Sequence, residues 1–309
     1  MNSTPSRCSD AGLAQAMAAA GVYRYGIAEA APVDQGHVRA YTDFITSGRH
    51  ATMSYLERYA DLRSDPRTLL PGATSVISCA IPYYTPGAEP HLRIARYARG
   101  ADYHTIVRER LEQVAEYIRQ HYGGDTRVCV DTAPIFERYW AVKAGVGFIG
   151  RNRQLIIPDA GSYFFLGEIL TTAPLPASQP CEESCDNCGR CIRACPAGAL
   201  APDGTFDARR CLSYLTIEHR GELPADTDLH ATFYGCDRCA EACPHNAVPP
   251  ATSIVDFQPR EAVMTLTAED MATMDHTRYT AIFRGSAMKR AKLDGLKRNA
   301  IIGFLEKNT

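Results

Sequence analysis

Twelve cysteines are the residues of this 309-residue chain best suited to chemistry, and they are unevenly placed. Cys8, Cys79 and Cys129 are scattered through the first half, while nine others crowd between Cys181 and Cys243. Cys185, Cys188, Cys191 and Cys195, followed by Pro196, have the C-x2-C-x2-C-x3-C-P spacing of bacterial ferredoxins. Three thiolates so spaced can wrap one face of a cubane, and the fourth points at a neighbouring cluster. A shorter run, Cys236, Cys239 and Cys243 before Pro244, lacks the first cysteine, and Cys211 stands between the runs to replace it. The set then closes with Cys185, Cys188, Cys191 and Cys243 on one [4Fe–4S] cluster, and Cys195, Cys211, Cys236 and Cys239 on the other. Cys181 is left over as incidental. Two structural zinc sites are the bland alternative, and the 2-2-3 spacing ending in Cys-Pro favours iron–sulfur over it. Two clusters imply single-electron relay, so the first half should hold an acceptor.

Asp131 is the next candidate. It follows the apolar stretch 126–130, and an apolar strand behind it with a cofactor in front would raise its pKa and make it a proton donor. The competing reading is a helix N-cap, because Asp-Thr-Ala-Pro has the make-up of one. Residues 145–150 match G-x-G-x-x-G letter for letter but follow a predicted helix rather than a strand. A glycine-rich close approach is therefore expected in place of dinucleotide binding. Between Arg284 and Arg298 six positive residues meet one negative, on a chain of formal net charge −2. That patch is either a solvated face or a grip on a phosphate backbone.

Around these residues the pattern predicts a helix over 11–20, capped by Ser9 or Asp10 and stopped at Gly21. Further expectations are a strand at 22–28, a helix at 35–47, a buried strand at 75–81 and a helix at 105–121. A strand at 126–130, a helix carrying Arg138, Trp140 and Lys143, and a core strand at 162–170 complete the first half. The alternation predicts an α/β (α+β) fold class, with Asp131 at the carboxyl end of a strand, where such sheets place their ligand crevice. A proline-rich connector at 171–180 divides the chain into an α/β catalytic domain (1–175), a ferredoxin-like module (176–250) and a helical C-terminal segment (251–309). Hydrophobic content of 45% and charged content of 22% exclude wholesale disorder. No apolar run is long enough to span a bilayer and no secretory leader is legible, so a cytoplasmic protein without a membrane partner is expected.

Taken together, the motifs have a precedent. Asp131-Thr132-Ala133-Pro134, Glu137-Arg138, the stretches 143–152 and 161–164, the cysteine runs, and the stretches 210–216, 234–237 and 283–286 lie in the order seen in epoxyqueuosine reductases. The chain resembles that family from about residue 10 to 305. The resemblance implies cobalamin-dependent reduction of epoxyqueuosine, at the wobble position of tRNA, to queuosine. Cobalamin would bind base-off, in keeping with the absence of a D-x-H-x-x-G loop; the nearest approach, Asp102-Tyr103-His104, lacks the glycine. Asp131 would be the proton donor beside the cofactor. Arg63, the main chain around Leu155, Ile156 and Ile157, then Leu166, Leu170 and Ser213 would be cobalamin contacts. Arg284, Lys289, Arg290, Lys292 and Arg298 would form a basic helix facing a tRNA with a queuosine-type anticodon. An external one-electron donor would feed the clusters of a monomer. Many members of the family continue into a helical-repeat domain, whereas this chain ends at Thr309, so a short form is expected. A cobalamin-dependent reductive dehalogenase would instead predict an export signal and no basic patch. A pure electron-transfer module would leave Asp131 without a task.

Overall fold

The computed structural model describes residues 10–305, so Cys8 and Ser9 lie outside the described residues. Asp10 caps the first helix, Ala11–Ala19, its carboxylate accepting the main-chain N–H groups of Gly12 (2.7 Å) and Leu13 (3.2 Å). A four-stranded sheet follows, built from β1 (Arg24–Glu29), β2 (Ser75–Pro82), β3 (Thr126–Cys129) and β6 (Phe164–Thr171) in the spatial order β1-β2-β6-β3. Every pairing in it is antiparallel. The antiparallel order means that the crevice rule of doubly wound sheets is not what places Asp131, yet that residue does follow the carboxyl end of β3, and the strands stand close to where the sequence pattern put them. The reason is that helices cover both faces of the sheet. A strand buried on both sides reads as a continuous apolar run whichever way its neighbours point.

The strand β2 shows the layering, with all eight of its residues buried. Ile77, Cys79 and Ile81 pack against Leu13, Met17, Leu111 and Val114 from the helices Ala11–Ala19 and Tyr103–Tyr122. Val76 and Ala80 face the other way, onto Trp140 and Ala141 of the helix Glu137–Lys143. Two short strands, β4 (Phe148–Ile149) and β5 (Leu155–Ile156), form a separate hairpin. The glycines before it serve close approach: a Cβ on Gly147 would meet the Ile156 carbonyl oxygen at 2.2 Å, and one on Gly145 the Gln179 oxygen at 2.0 Å.

The cysteine-rich segment folds around short helices, Arg190–Arg193, Leu212–Ile217 and Arg238–Glu241. It is knitted to the sheet domain by Asn246. That side chain accepts the Ser162 N–H (2.7 Å) and donates to the Ala240 carbonyl (2.8 Å). The C-terminal helices do not form a core of their own. Leu92, Ile94 and Ala98 from the first half share one with Phe233 and Tyr234 and with Met271, Phe283 and Leu296. Among the described residues no helix is long and apolar enough to cross a membrane.

Candidate active site

One cavity of about 1820 Å³ lies between the sheet domain, the cysteine-rich segment and the C-terminal helices. That exceeds the roughly 300–1,000 Å³ of an ordinary small-molecule pocket. Cys195, Cys211, Cys236 and Cys239 all line it. Cys185, Cys188, Cys191 and Cys243 line a second, smaller cavity with Ile156, Pro244 and His245. The two sets are the two that the spacing grouped. Among the described residues no three His, Cys, Asp or Glu side chains converge as a single metal ion requires, whereas a cubane asks for thiolates spaced around its faces. Cys181 lines neither cavity and points its sulfur at the Glu183 carboxylate (3.3 Å). Cys79 and Cys129 are buried in the sheet domain, and burial pushes the Cys129 thiol up to about 12.

Asp131 faces the large cavity just beyond β3, with a side chain about half exposed to it. It is not a helix cap, because the next helix begins at Glu137 with Phe136 in the capping position. Its φ is +48°, a left-handed conformation that costs a non-glycine residue about 1–3 kcal/mol and that collects at functional sites. The main chain is held there by Glu137, whose carboxylate accepts the Asp131 N–H at 2.6 Å.

His104, which the sequence marks only as part of an incomplete D-x-H-x-x-G motif, completes the group. It stands in the first turn of the helix Tyr103–Tyr122, where the cap residue Asp102 accepts its main-chain N–H (3.1 Å) and contacts its Nδ1 (2.6 Å). Its Nε2 is 2.9 Å from Asp131 Oδ2. The hydrogen bonds to Asp102 and Asp131 raise the imidazole to about 9, so it carries a proton at neutral pH. For Asp131, burial pushes the pKa up, but the bond to His104 and its charge outweigh this and leave the carboxyl below its ordinary value. This corrects the expectation of an acid raised by desolvation: the proton resides on the imidazole, one hydrogen bond behind Asp131. Glu137 moves the other way, pushed up to about 7 by burial and by the Asp131 charge.

Of the expected cobalamin contacts, Arg63 and Ser213 line the large cavity. Arg63 Nε is buried there without a hydrogen-bond partner, a donor left for a ligand. Leu155, Ile156, Ile157, Leu166 and Leu170 are not among the lining residues. Leu155, Ile157 and Leu170 are core residues around Trp140, Leu166 packs against that core, and Ile156 faces the other cysteine set. They are apolar because they hold the hairpin and β6 in place.

The basic segment is a 3-10 turn, Ala287–Ala291, running into the helix Lys292–Ala300. Lys289, Arg290 and Lys292 line the same cavity as Asp131. Arg290 is engaged within the fold, bonded in two-pronged fashion to Glu218 (2.7 and 2.9 Å) and stacked 5.3 Å from the Tyr55 ring. Arg298 departs from the expectation: its guanidinium donates to the carbonyls of Leu215 (2.8 Å) and Gly221 (2.7 Å) and anchors the helix. Arg284 is exposed but away from the cavity.

Residues 63–132 match the family model "Epoxyqueuosine reductase QueG, DUF1730", and residues 184–246 match "4Fe-4S double cluster binding domain". The epoxyqueuosine reductase of Gloeobacter violaceus is 38% identical over 293 residues, covering 91% of each chain. That of Vibrio cholerae is 38% identical over 279 residues, covering 87% of this chain and 76% of its own. A crystal structure of epoxyqueuosine reductase with an epoxyqueuosine-modified tRNA-Tyr stem loop superposes with a TM-score of 0.88 at 27% identity, over 94% of this chain and 79% of that one. A Bacillus subtilis structure, whose catalytic aspartate loop is swung out of the active site, gives 0.85 at 27% identity over 94% and 79%. Sequence and fold agree along nearly the whole length: this chain belongs to the epoxyqueuosine reductase family of oxidoreductases, with a double [4Fe–4S] domain.

Proposed function

We propose that this chain reduces the epoxide of epoxyqueuosine in tRNA to the alkene of queuosine, with base-off cobalamin in the large cavity and electrons delivered singly through the two clusters. The reaction breaks both epoxide C–O bonds and consumes two electrons and two protons, and the oxygen leaves as water. Bound cobalamin would supply the low-valent cobalt chemistry that opening the epoxide requires. Arg63, with its buried unpartnered Nε, and Ser213, next to Cys211, are the residues to hold it. Cys195, Cys211, Cys236 and Cys239 line the same space and would hold the cluster that supplies electrons there, while Cys185, Cys188, Cys191 and Cys243 would hold the other.

The protein's own part is proton delivery and binding. Asp131 offers its carboxyl to the departing oxygen, the His104 imidazolium behind it supplies one of the two protons through the 2.9 Å contact, and solvent in the cavity supplies the other. Lys289 and Lys292, at the same cavity, meet the phosphates that flank the modified nucleoside. One observation carries the reading: a charged His104–Asp131 pair in a strained loop faces the cavity that four thiols also line. The test is mass analysis of queuosine in tRNA after anaerobic incubation with the reconstituted protein, cobalamin and a reductant. Queuosine is expected from the wild type, and its absence would sink the proposal.

A further inference from the structure

We propose that Asn152 sets the reduction potential of the cluster held by Cys185, Cys188, Cys191 and Cys243, by donating a hydrogen bond from its side-chain Nδ2 to one of that cluster's sulfurs. The inference rests on the double-cluster domain and not on the proposed substrate. Asn152 lies in the turn between β4 and β5, and it is the one residue that lines both the large cavity and the small one. The small cavity brings it together with all four of those cysteines. Asn152 is only 4% exposed, and the main chain fixes which way its amide faces. Oδ1 accepts the Gln154 N–H at 3.2 Å, inside a turn in which the Gly150 N–H donates to the Gln154 carbonyl (3.0 Å) and the Arg153 N–H to the Gly150 carbonyl (2.9 Å). The turn is tied to the cysteine-rich segment as well, because Arg151 donates to the Pro202 carbonyl and Arg153 to that of Gly204. With Oδ1 committed, Nδ2 is the donor that remains, and it is buried with no hydrogen-bond partner among the described residues. Folded chains leave few such donors, so each calls for an acceptor. The other unpartnered side-chain nitrogen at the small cavity, His245 Nε2, has the Asp186 carboxylate 3.7 Å away. For Asn152 the acceptors on offer are the sulfurs that this cavity's four cysteines would hold.

The consequence follows from charge. One-electron reduction adds a negative charge to a cubane and spreads it over the sulfurs. A hydrogen bond to sulfur strengthens as that charge builds, so it favours the reduced form and raises the potential. The electron comes from an external one-electron donor, dithionite in the test below, and Asn152 keeps its protons throughout. Water reaching the cluster would raise the potential too, since it also solvates the added charge. Losing the donor and admitting water therefore act in opposite directions, and the sign of a shift tells them apart.

Potentiometric titration of the full chain with both clusters loaded, followed by paramagnetic resonance, reads this without cobalamin or tRNA. Asn152→Asp keeps an oxygen for the Gln154 N–H and removes the amide donor, while Asn152→Leu fills the same space with no polar atom. In both, the oxidised-to-reduced ratio of one cluster at a fixed potential is expected to rise about tenfold, a downward shift of about 59 mV for a one-electron couple. The other cluster's step should not move. Cys188→Ser, at an exposed ligand, should displace or abolish the same step and so identify it. In Asn152→Leu the exchangeable-proton coupling of the amide should also vanish from the electron–nuclear double resonance of that reduced cluster. Potentials unmoved in both variants, an upward shift, or a shift confined to the cluster with Cys195 would overturn the inference. Asn152→Asp, which preserves the turn, decides the matter if Asn152→Leu does not hold iron. A downward shift found in a protein that forms no queuosine would refute the proposed function and leave the Asn152 bond standing.

Discussion

Two aspartates and one histidine decide where a proton waits. Asp102 and Asp131 grip opposite nitrogens of His104, so the imidazolium is favoured and Asp131 is kept charged until a negative oxygen develops beside it. Asp131→Asn keeps the shape but cannot pass that proton on. It is expected to retain both clusters and lose queuosine formation by about 10²–10⁴-fold, measured by mass analysis of single-turnover product. His104→Gln separates charge from position. The folded-state pKa of His104 is raised, so the stability it lends is full below about 6.5 and is lost as pH rises through about 9. Denaturation midpoints of the wild type should fall across that window, and those of His104→Gln should fall less.

At the scale of elements, the hairpin β4–β5 shows what the glycine-rich stretch is for. Its letters match a dinucleotide fingerprint, yet no helix opens after it, and Gly147 lies against the Ile156 carbonyl because nothing larger fits. Gly147→Ala should cost about 1–3 kcal/mol in denaturant unfolding, with the iron content of the folded fraction unchanged. The turn Ala287–Ala291 and the start of the helix Lys292–Ala300 place two lysines at the cavity and leave Arg290 and Arg298 to hold the fold. Charge reversal of Lys289 and Lys292 together should weaken tRNA binding and flatten its salt dependence, read by titration at several salt concentrations. Reversal of Arg298 should instead lower stability.

For the whole molecule, the consequential feature is that the two thiol sets face different spaces. A double-cluster domain of four irons each holds eight in all. Cys211→Ala should halve that count and leave the set with Cys185 loaded, because each set lines its own cavity. Iron analysis and paramagnetic resonance of the reduced protein would show it. Loss of both clusters together would mean that the sets fold as one unit. The C-terminal helices share a core with Leu92 and Ile94, so truncation after about residue 250 should unfold the chain rather than release a free catalytic domain.

Some of this was written in the sequence, and some was not. The grouping of the thiols was legible because a C-x2-C run brings its sulfurs together locally and the ferredoxin pattern says which distant cysteine joins each run; the two sets line separate cavities. The strands were legible because burial on two faces demands apolar runs. Their antiparallel direction was not, since burial is blind to direction. The part His104 plays was missed for a related reason. Twenty-seven positions separate it from Asp131, and only the packing of the helix Tyr103–Tyr122 over β3 brings the pair to 2.9 Å. With that contact came the sign of the Asp131 shift, which burial alone would have reversed. Residue type and spacing determined which chemistry the chain can carry; the tertiary structure decided which group holds the proton, because pKa depends on neighbours through space and not along the chain.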